Sequence, residues 1–264
     1  MSETWAGGVF GERGRCILAP NPGIMSLDGT NTWILREPGA RRSVVIDPGP
    51  LDEGHLDAVA EAAGEVATVL LTHHHYDHSE AARAFAERMG CGVRALDPEY
   101  RLGSEGLGDG DVVEVDGLEV RVVGTPGHTS DSLSFWLPAD GAVLTGDTVL
   151  GRGTTVVAHP DGELGAYLDS LDRLHALASE HGIGNVWPGH GPVIGNALGA
   201  LDYYIAHRRE RLGQVEAALA GLGVTPAEAD PRAIVEIVYA DVDQVLWGAA
   251  ELSVRAQLAY LAQR

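Results

Sequence analysis

The chain has 264 residues, 45% hydrophobic and 21% charged, which specifies a packed globule of one large domain, or one domain plus a small appendage, and excludes a disordered chain. Thirty-eight acidic residues oppose 18 basic ones, all arginine, for a formal net charge of −20; this argues against a nucleic-acid coat, which needs a basic face, but leaves open a nucleic-acid enzyme, because a local metal site outweighs distant charge. Two cysteines exclude a disulfide scaffold, no apolar run approaches the ~18 residues of a membrane span, and no apolar leader is visible, so a soluble, cytoplasmic protein with no membrane partner is expected.

Short apolar runs alternate with helical patterns over roughly the first 200 residues. Val44-Val45-Ile46 ends at Asp47-Pro48-Gly49, and the run 66–71 ends at Thr72-His73. Ser79 is a candidate N-cap for a helix through Met89, with Glu80 in its first turn and Gly90 past its end. The run 118–123 ends at Gly124-Thr125-Pro126-Gly127; 132–137 and 142–144 are two more β-like runs, split by Pro138-Ala139-Asp140-Gly141. Leu164, Leu168, Leu171, Leu174 and Leu177 mark an amphipathic helix, and Asn185-Val186-Trp187 ends at Pro188-Gly189. Mixed strands and helices predict an α/β layered domain. From Leu201 onward only helical spacing is seen. Leu201 to Leu219, Ala233 to Val238 and Trp247 to Leu261 predict three helices, so the expected division is 1–203 and 204–264.

The strongest chemical signal is Thr72-His73-His74-His75-Tyr76-Asp77-His78, directly after an apolar run. His73 and His75 are two apart, so at a strand end they project to one side. Buried without a cation, so many polar groups would each cost about 1–3 kcal/mol. His128, Asp147 and His190 share a second context, a strand ending in a glycine-rich turn, where the backbone can bend sharply and bring a side chain to a common point. The result is five histidines and two aspartates, too many for one tetrahedral zinc and suited to two divalent cations sharing a carboxylate. Imidazole with carboxylate favours zinc, with iron or manganese next. The other six histidines, His74 included, read as surface or supporting residues. Asn31 and Thr154 have loop contexts that suit either a pocket or ordinary turn chemistry.

These residues resemble the metallo-β-lactamase superfamily, whose Thr-His-x-His-x-Asp-His pattern with a later His, Asp and His is matched in full. The resemblance implies an αββα sandwich with metals at one edge. It implies that His73, His75 and His128 hold one ion, that Asp77, His78 and His190 hold the other, and that Asp147 bridges them. Asn21-Pro22-Gly23, Gly29-Thr30-Asn31-Thr32, Gly151-Arg152-Gly153-Thr154-Thr155, Pro188-Gly189-His190-Gly191-Pro192 and His207-Arg208-Arg209-Glu210 are similar to the β-lactamase-like protein 2 subfamily. That subfamily carries a winged-helix-like appendage, and its animal mitochondrial members are endoribonucleases preferring single strands. Ser79-Glu80-Ala81 departs from the family's usual Ser/Ala-Gly-Gly, and nothing after the third helix predicts a β-hairpin wing.

The implied chemistry is hydrolysis by a metal-bridging hydroxide, with Asp77 as the catalytic carboxylate. Single-stranded RNA is the first substrate expectation. Arg152, Arg208, Arg209 and Arg211 favour it, although the last three lie within one helical turn and cannot share a face. A thioester is the alternative, since Thr-His-His-His-x-Asp-His also occurs in glyoxalase II enzymes; an acyl-carrier or coenzyme A thioester is open. A β-lactamase ranks lower, because dinuclear members of that class generally lack the bridging aspartate. The non-enzyme alternative is a metal-binding interaction module, with the C-terminal helices as candidates for pairing two chains.

Overall fold

The computed structural model describes residues 4–264. In chain order, β1 (Gly8–Phe10), β2 (Gly14–Leu18), β3 (Asn31–Leu35), β4 (Arg42–Ile46), α1 (Glu53–Ala63), β5 (Glu65–Leu70), α2 (Tyr76–Ser79), α3 (Ala82–Met89) and β6 (Gly92–Arg94) make the first half. The second half comprises β7 (Val112–Val115), β8 (Leu118–Gly124), β9 (Leu133–Leu137), β10 (Ala142–Gly146), α4 (Leu164–His181) and β11 (Asn185–Pro188). Helices α5 (Ala197–Leu222), α6 (Pro231–Val238) and α7 (Trp247–Leu261) follow.

Strand periodicity explains the layering. On β8, Leu118, Val120 and Val122 face the core between the sheets, where they meet Val44, Ile46, Leu70 and Phe135. Val123 points the other way with Trp136, Val143 and Val186, onto Tyr167, Leu171 and Leu174 of α4 and Leu201 and Tyr204 of α5. The opposite face of the first sheet, with Ile34, Val45 and Val69, is covered by Leu56 and Val59 of α1 and Phe85 of α3. The result is an αββα sandwich. Its first sheet runs β1-β2-β3-β4-β5-β6 and its second β11-β10-β9-β8-β7.

The pairing directions decide where chemistry can sit. β4, β5 and β6 are mutually parallel, as are β10 and β11, and β8 runs with β10 because both are antiparallel to β9. Asn31 closes the sheets on each other at the edge where these strands end. Its backbone N–H donates to Gly189 O at 2.8 Å, and its Nδ2 donates to Pro188 O and Gly191 O, both at 2.9 Å. Leu133 N–H likewise donates to Thr72 O at 2.8 Å.

Ser79 does not cap the helix predicted from it. It is the last residue of α2, its hydroxyl donates to His74 O at 2.7 Å, and α3 starts at Ala82. The chain keeps coiling through the ligand cluster, and Glu80 accepts from Leu51 N–H at 3.0 Å. Gly90 does end α3 in the left-handed conformation. Helix α5 is continuous through residues 203 and 204. Its Leu201 and Tyr204 belong to the sandwich core, while Val215, Ala218 and Leu219 meet Ile234 and Val235 of α6 and Val254 and Leu258 of α7 in a separate apolar cluster. Among the described residues no strand follows β11. No helix among the described residues is long and apolar enough to cross a membrane.

Candidate metal centre

All seven predicted side chains converge at the strand-end edge. His73 follows β5, and Asp77 and His78 lie on the single turn α2. His128 follows β8, Asp147 follows β10 and His190 follows β11. His73 Nε2 and His128 Nε2 each face His75 Nδ1 at 3.1 Å. His78 Nε2 faces His190 Nε2 at 3.3 Å, and Asp77 Oδ2 lies 3.2 Å from His190 Nε2. Asp147 stands between the two groups. Its Oδ2 is 3.3 Å from His190 Nε2 and 3.7 Å from His128 Nε2, and its Oδ1 is 3.5 Å from His78 Nε2.

Hydrogen bonds behind the rings fix which nitrogen faces the centre. His128 Nδ1–H donates to Val156 O at 2.8 Å and His190 Nδ1–H to Gly29 O at 3.1 Å, so both present Nε2. Asp47, in the left-handed conformation at φ 50°, organises the first cluster. Its carboxylate accepts from Thr72 N–H at 2.8 Å, Thr72 Oγ1–H at 2.6 Å and His78 Nδ1–H at 2.8 Å. Having donated to Asp47, the Thr72 hydroxyl accepts from His73 Nδ1–H at 2.9 Å. Backing bonds of this kind orient metal-ligating imidazoles.

Sequence reasoning missed Asp47. The available signal was its position, a strand end followed by Pro48-Gly49, the same context that marks Asp147. Asp47, His73 and His78 lie close enough to hold an ion together, but the carboxylate of Asp47 is already committed behind the two rings. His74 points away, with Nδ1 2.8 Å from Asp131 Oδ1. His55 is buried beneath the edge, its Nε2 2.9 Å from Thr32 Oγ1. Thr154 lines the cavity described below, whereas Asn31 is buried behind the site as the staple between the sheets.

Gly189 is a second unread element. A Cβ there would lie 2.5 Å from Asp147 Oδ1 and 2.9 Å from His78 Cε1, so only glycine lets β11 run this close to the ligands.

The electrostatics divide the site in two. Burial holds His73 and His128 below the ordinary imidazole range and His75 down to about 4, so these three rings are neutral and offer lone pairs. Burial also disfavours charge on His78 and His190, but Asp77 and Asp147 overcome it. His78 is pushed up to about 9 and His190 well above its ordinary value. Burial acts to raise both aspartates as well, yet the facing imidazoles hold them below the usual carboxylate range.

Three imidazole nitrogens, two of them on the buried rings of His73 and His128, point at one another, an arrangement that a cation between them satisfies. Asp147 Oδ1 is buried with no hydrogen-bond partner. His73, His75 and His128 form one group able to hold a metal ion, and Asp77, His78 and His190 form another. The donor set therefore fits divalent metal. The ligands open onto a cavity of about 390 Å³. Ile24, Met25, Leu27, Leu150 and Thr154 line it together with Arg208, Tyr239, Val242 and Leu246 of the helical unit.

Residues 25–181 match the Metallo-beta-lactamase superfamily, and residues 231–264 match the Beta-lactamase associated winged helix domain. The chain belongs to the metallo-β-lactamase superfamily and is a hydrolase of that class. It is similar to the Atrochrysone carboxyl ACP thioesterase of Aspergillus fumigatus, 38% identical over 77% of this chain and 64% of that protein, so it spans just under two thirds of that relative. It is 31% identical to the Beta-lactamase-like protein 2 homolog of Drosophila melanogaster, over 93% of this chain and 86% of that one. The fold of a Beta-lactamase domain protein from Burkholderia ambifaria superposes with a TM-score of 0.80 at 22% identity, covering 99% of this chain and 91% of that chain.

Proposed function

We propose that the protein hydrolyses acyl thioesters at a centre of two divalent cations, zinc first, with iron or manganese as alternatives. The observation that carries this reading is the cavity onto which the ligands open, whose wall carries the apolar side chains of Ile24, Met25, Leu27, Leu150, Val242 and Leu246. Such a wall takes an acyl chain; a ribose-phosphate backbone needs exposed cations. Three of the four arginines that favour RNA are otherwise engaged: Arg152 pairs with Asp28, Arg211 donates to Val238 O and Gln214 Oε1, and Arg209 faces Asp172. The similarity to an ACP thioesterase agrees with the cavity.

His73, His75 and His128 would hold one ion, Asp77, His78 and His190 the other, and Asp147 would touch both. When bound, two such ions stabilise developing negative charge and make water acidic enough to attack at neutral pH. The chain's own contribution is positioning. Thr30 Oγ1–H donates to Asp77 Oδ2 at 3.0 Å and fixes that carboxylate, whose side chain is 34% exposed toward the cavity. Asp77 is therefore placed to orient the attacking water and accept its proton. Attack on the thioester carbonyl carbon forms the C–O bond and breaks the C–S bond. The thiolate leaves as an anion, which asks for no general acid.

The test is a panel at equal enzyme concentration: pentanoyl-coenzyme A, pentanoyl-N-acetylcysteamine, single-stranded RNA and a chromogenic cephalosporin, each with wild type and Asp77→Ala. Thioester turnover lost in Asp77→Ala supports the reading. RNA cleavage lost in that variant, with thioesters untouched, overturns it in favour of a nuclease.

A further inference from the structure

We propose that Arg208 is a substrate-specificity residue that receives an anionic group, a carboxylate or a phosphate, at the wall of the cavity beside the metal ligands. The inference deepens the thioesterase reading and rests on it for the nature of the molecule carrying the anion.

Arg208 sits on the inward face of α5 with 5% exposure. A guanidinium offers five N–H donors and is always charged, so burial demands counter-charge or several acceptors. Arg208 has neither in full. Nη2–H donates to Thr155 O, and the guanidinium carbon lies 4.9 Å over the Tyr167 ring. Nε is buried without a partner, and among the described residues no carboxylate forms an ion pair with it. The other two arginines of the cavity, Arg152 and Arg211, are satisfied by Asp28 and by Val238 O with Gln214 Oε1. The two carboxylates that face the cavity, Asp77 and Asp147, are taken up by His78 and His190. Arg208 is thus a charge in the cavity wall without a carboxylate partner, which an incoming anion would complete with charge-assisted hydrogen bonds. Two parts of a thioester can bring that anion: a carboxylate on the acyl chain, or a phosphate on the thiol carrier.

A structural role must be separated from this one, because Thr155 Oγ1–H donates to the backbone O of Asp147 and Arg208 braces Thr155. Three substrates separate them: pentanoyl-N-acetylcysteamine, glutaryl-N-acetylcysteamine of the same chain length with a terminal carboxylate, and pentanoyl-coenzyme A with phosphates on the thiol. Wild type is expected to prefer one anionic substrate over the neutral one by about tenfold or more in kcat/KM, and which one identifies the source of the anion. In Arg208→Gln that preference collapses toward one, chiefly through KM. A bracing role alone lowers all three substrates in parallel and leaves the preference intact; that result, or a wild type without preference, overturns the proposal. If melting shows that Arg208→Gln does not fold, Arg208→Lys is read instead. It keeps the charge but loses the planar fork, so a preference reduced by about threefold or more supports the proposal, and an unchanged one overturns it. If wild type hydrolyses none of the three, the thioesterase reading fails. The subsite is then decided by calorimetry with glutarate and inorganic phosphate. Binding of either about tenfold weaker in Arg208→Gln supports it, and equal binding of both to the two proteins overturns it.

Discussion

Asp47 and Gly189 touch no substrate, yet the geometry makes the ligand cluster depend on both. Asp47 holds Thr72 and His78 from behind and, through the Thr72 hydroxyl, His73 as well. Asp47→Asn keeps the shape but turns one acceptor oxygen into a donor and removes the charge. Its metal affinity, measured by competition with a chromogenic chelator, is expected to fall about 10–100-fold, and wild-type affinity would show that the backing bonds do not orient the rings. Gly189→Ala places a methyl group 2.5 Å from Asp147 Oδ1. Elemental analysis is expected to find less bound metal than in wild type, with an unchanged far-ultraviolet circular dichroism spectrum.

The same scale explains which site residues the sequence showed. The His73–His78 run declares itself because few other needs put so many imidazoles together. Asp47 stands alone before Pro48-Gly49, where an aspartate reads as turn chemistry. The role of Arg208 depends on Tyr167 and Thr155, which lie far from it in the chain. The thiols carry a further expectation. Burial pushes the Cys16 thiol far above its ordinary range and raises Cys91 to a lesser degree. Cys16 should therefore resist a chromogenic disulfide reagent at pH 8 until the chain is unfolded, and rapid labelling of Cys16 in the native protein would contradict its burial.

At the scale of elements, the edge of the sandwich is only as firm as the segments that tie its two sheets. Asn31 makes the tie, donating to Pro188 O and Gly191 O and accepting from Trp5 Nε1–H at 2.7 Å. Asn31→Ala leaves Gly191 O and Trp5 Nε1 without this partner, while Pro188 O keeps Trp33 Nε1–H, and is expected to cost about 1–3 kcal/mol in denaturant unfolding; a loss within 0.5 kcal/mol of zero would mean the tie is redundant. Strands with apolar alternation, such as β8, could be read directly from the sequence. β3 could not, because it opens on Asn31, a residue depleted in strands, and all five of its residues are buried, so no alternation marks it between β2 and β4. β2 begins at Gly14, where a Cβ would collide with Trp187, so its glycine serves packing and masks the strand pattern. Ser79 failed as a cap for a related reason. Tertiary contacts keep the ligand segment coiled, and its hydroxyl turns back to His74 O.

At the scale of the molecule, the helical unit completes the cavity. Its apolar cluster is built from α5, α6 and α7, and Tyr239, Val242 and Leu246 line the same cavity as Ile24. Trp247 packs against this cluster and donates Nε1–H to Val242 O at 3.0 Å. Metals that bind the folded chain stabilise it by mass action, so chelation is expected to lower the melting temperature by about 5–10 °C, reversibly on adding zinc. The central claim is that seven side chains converge to hold two divalent ions with Asp147 shared between them. Metal content of protein purified without added metal, set beside Asp147→Ala, tests it most directly. Close to two ions per chain in wild type, with both depleted in the variant, is the expected result. One ion or none in a folded wild type replenished with zinc, or full occupancy in Asp147→Ala, would contradict it.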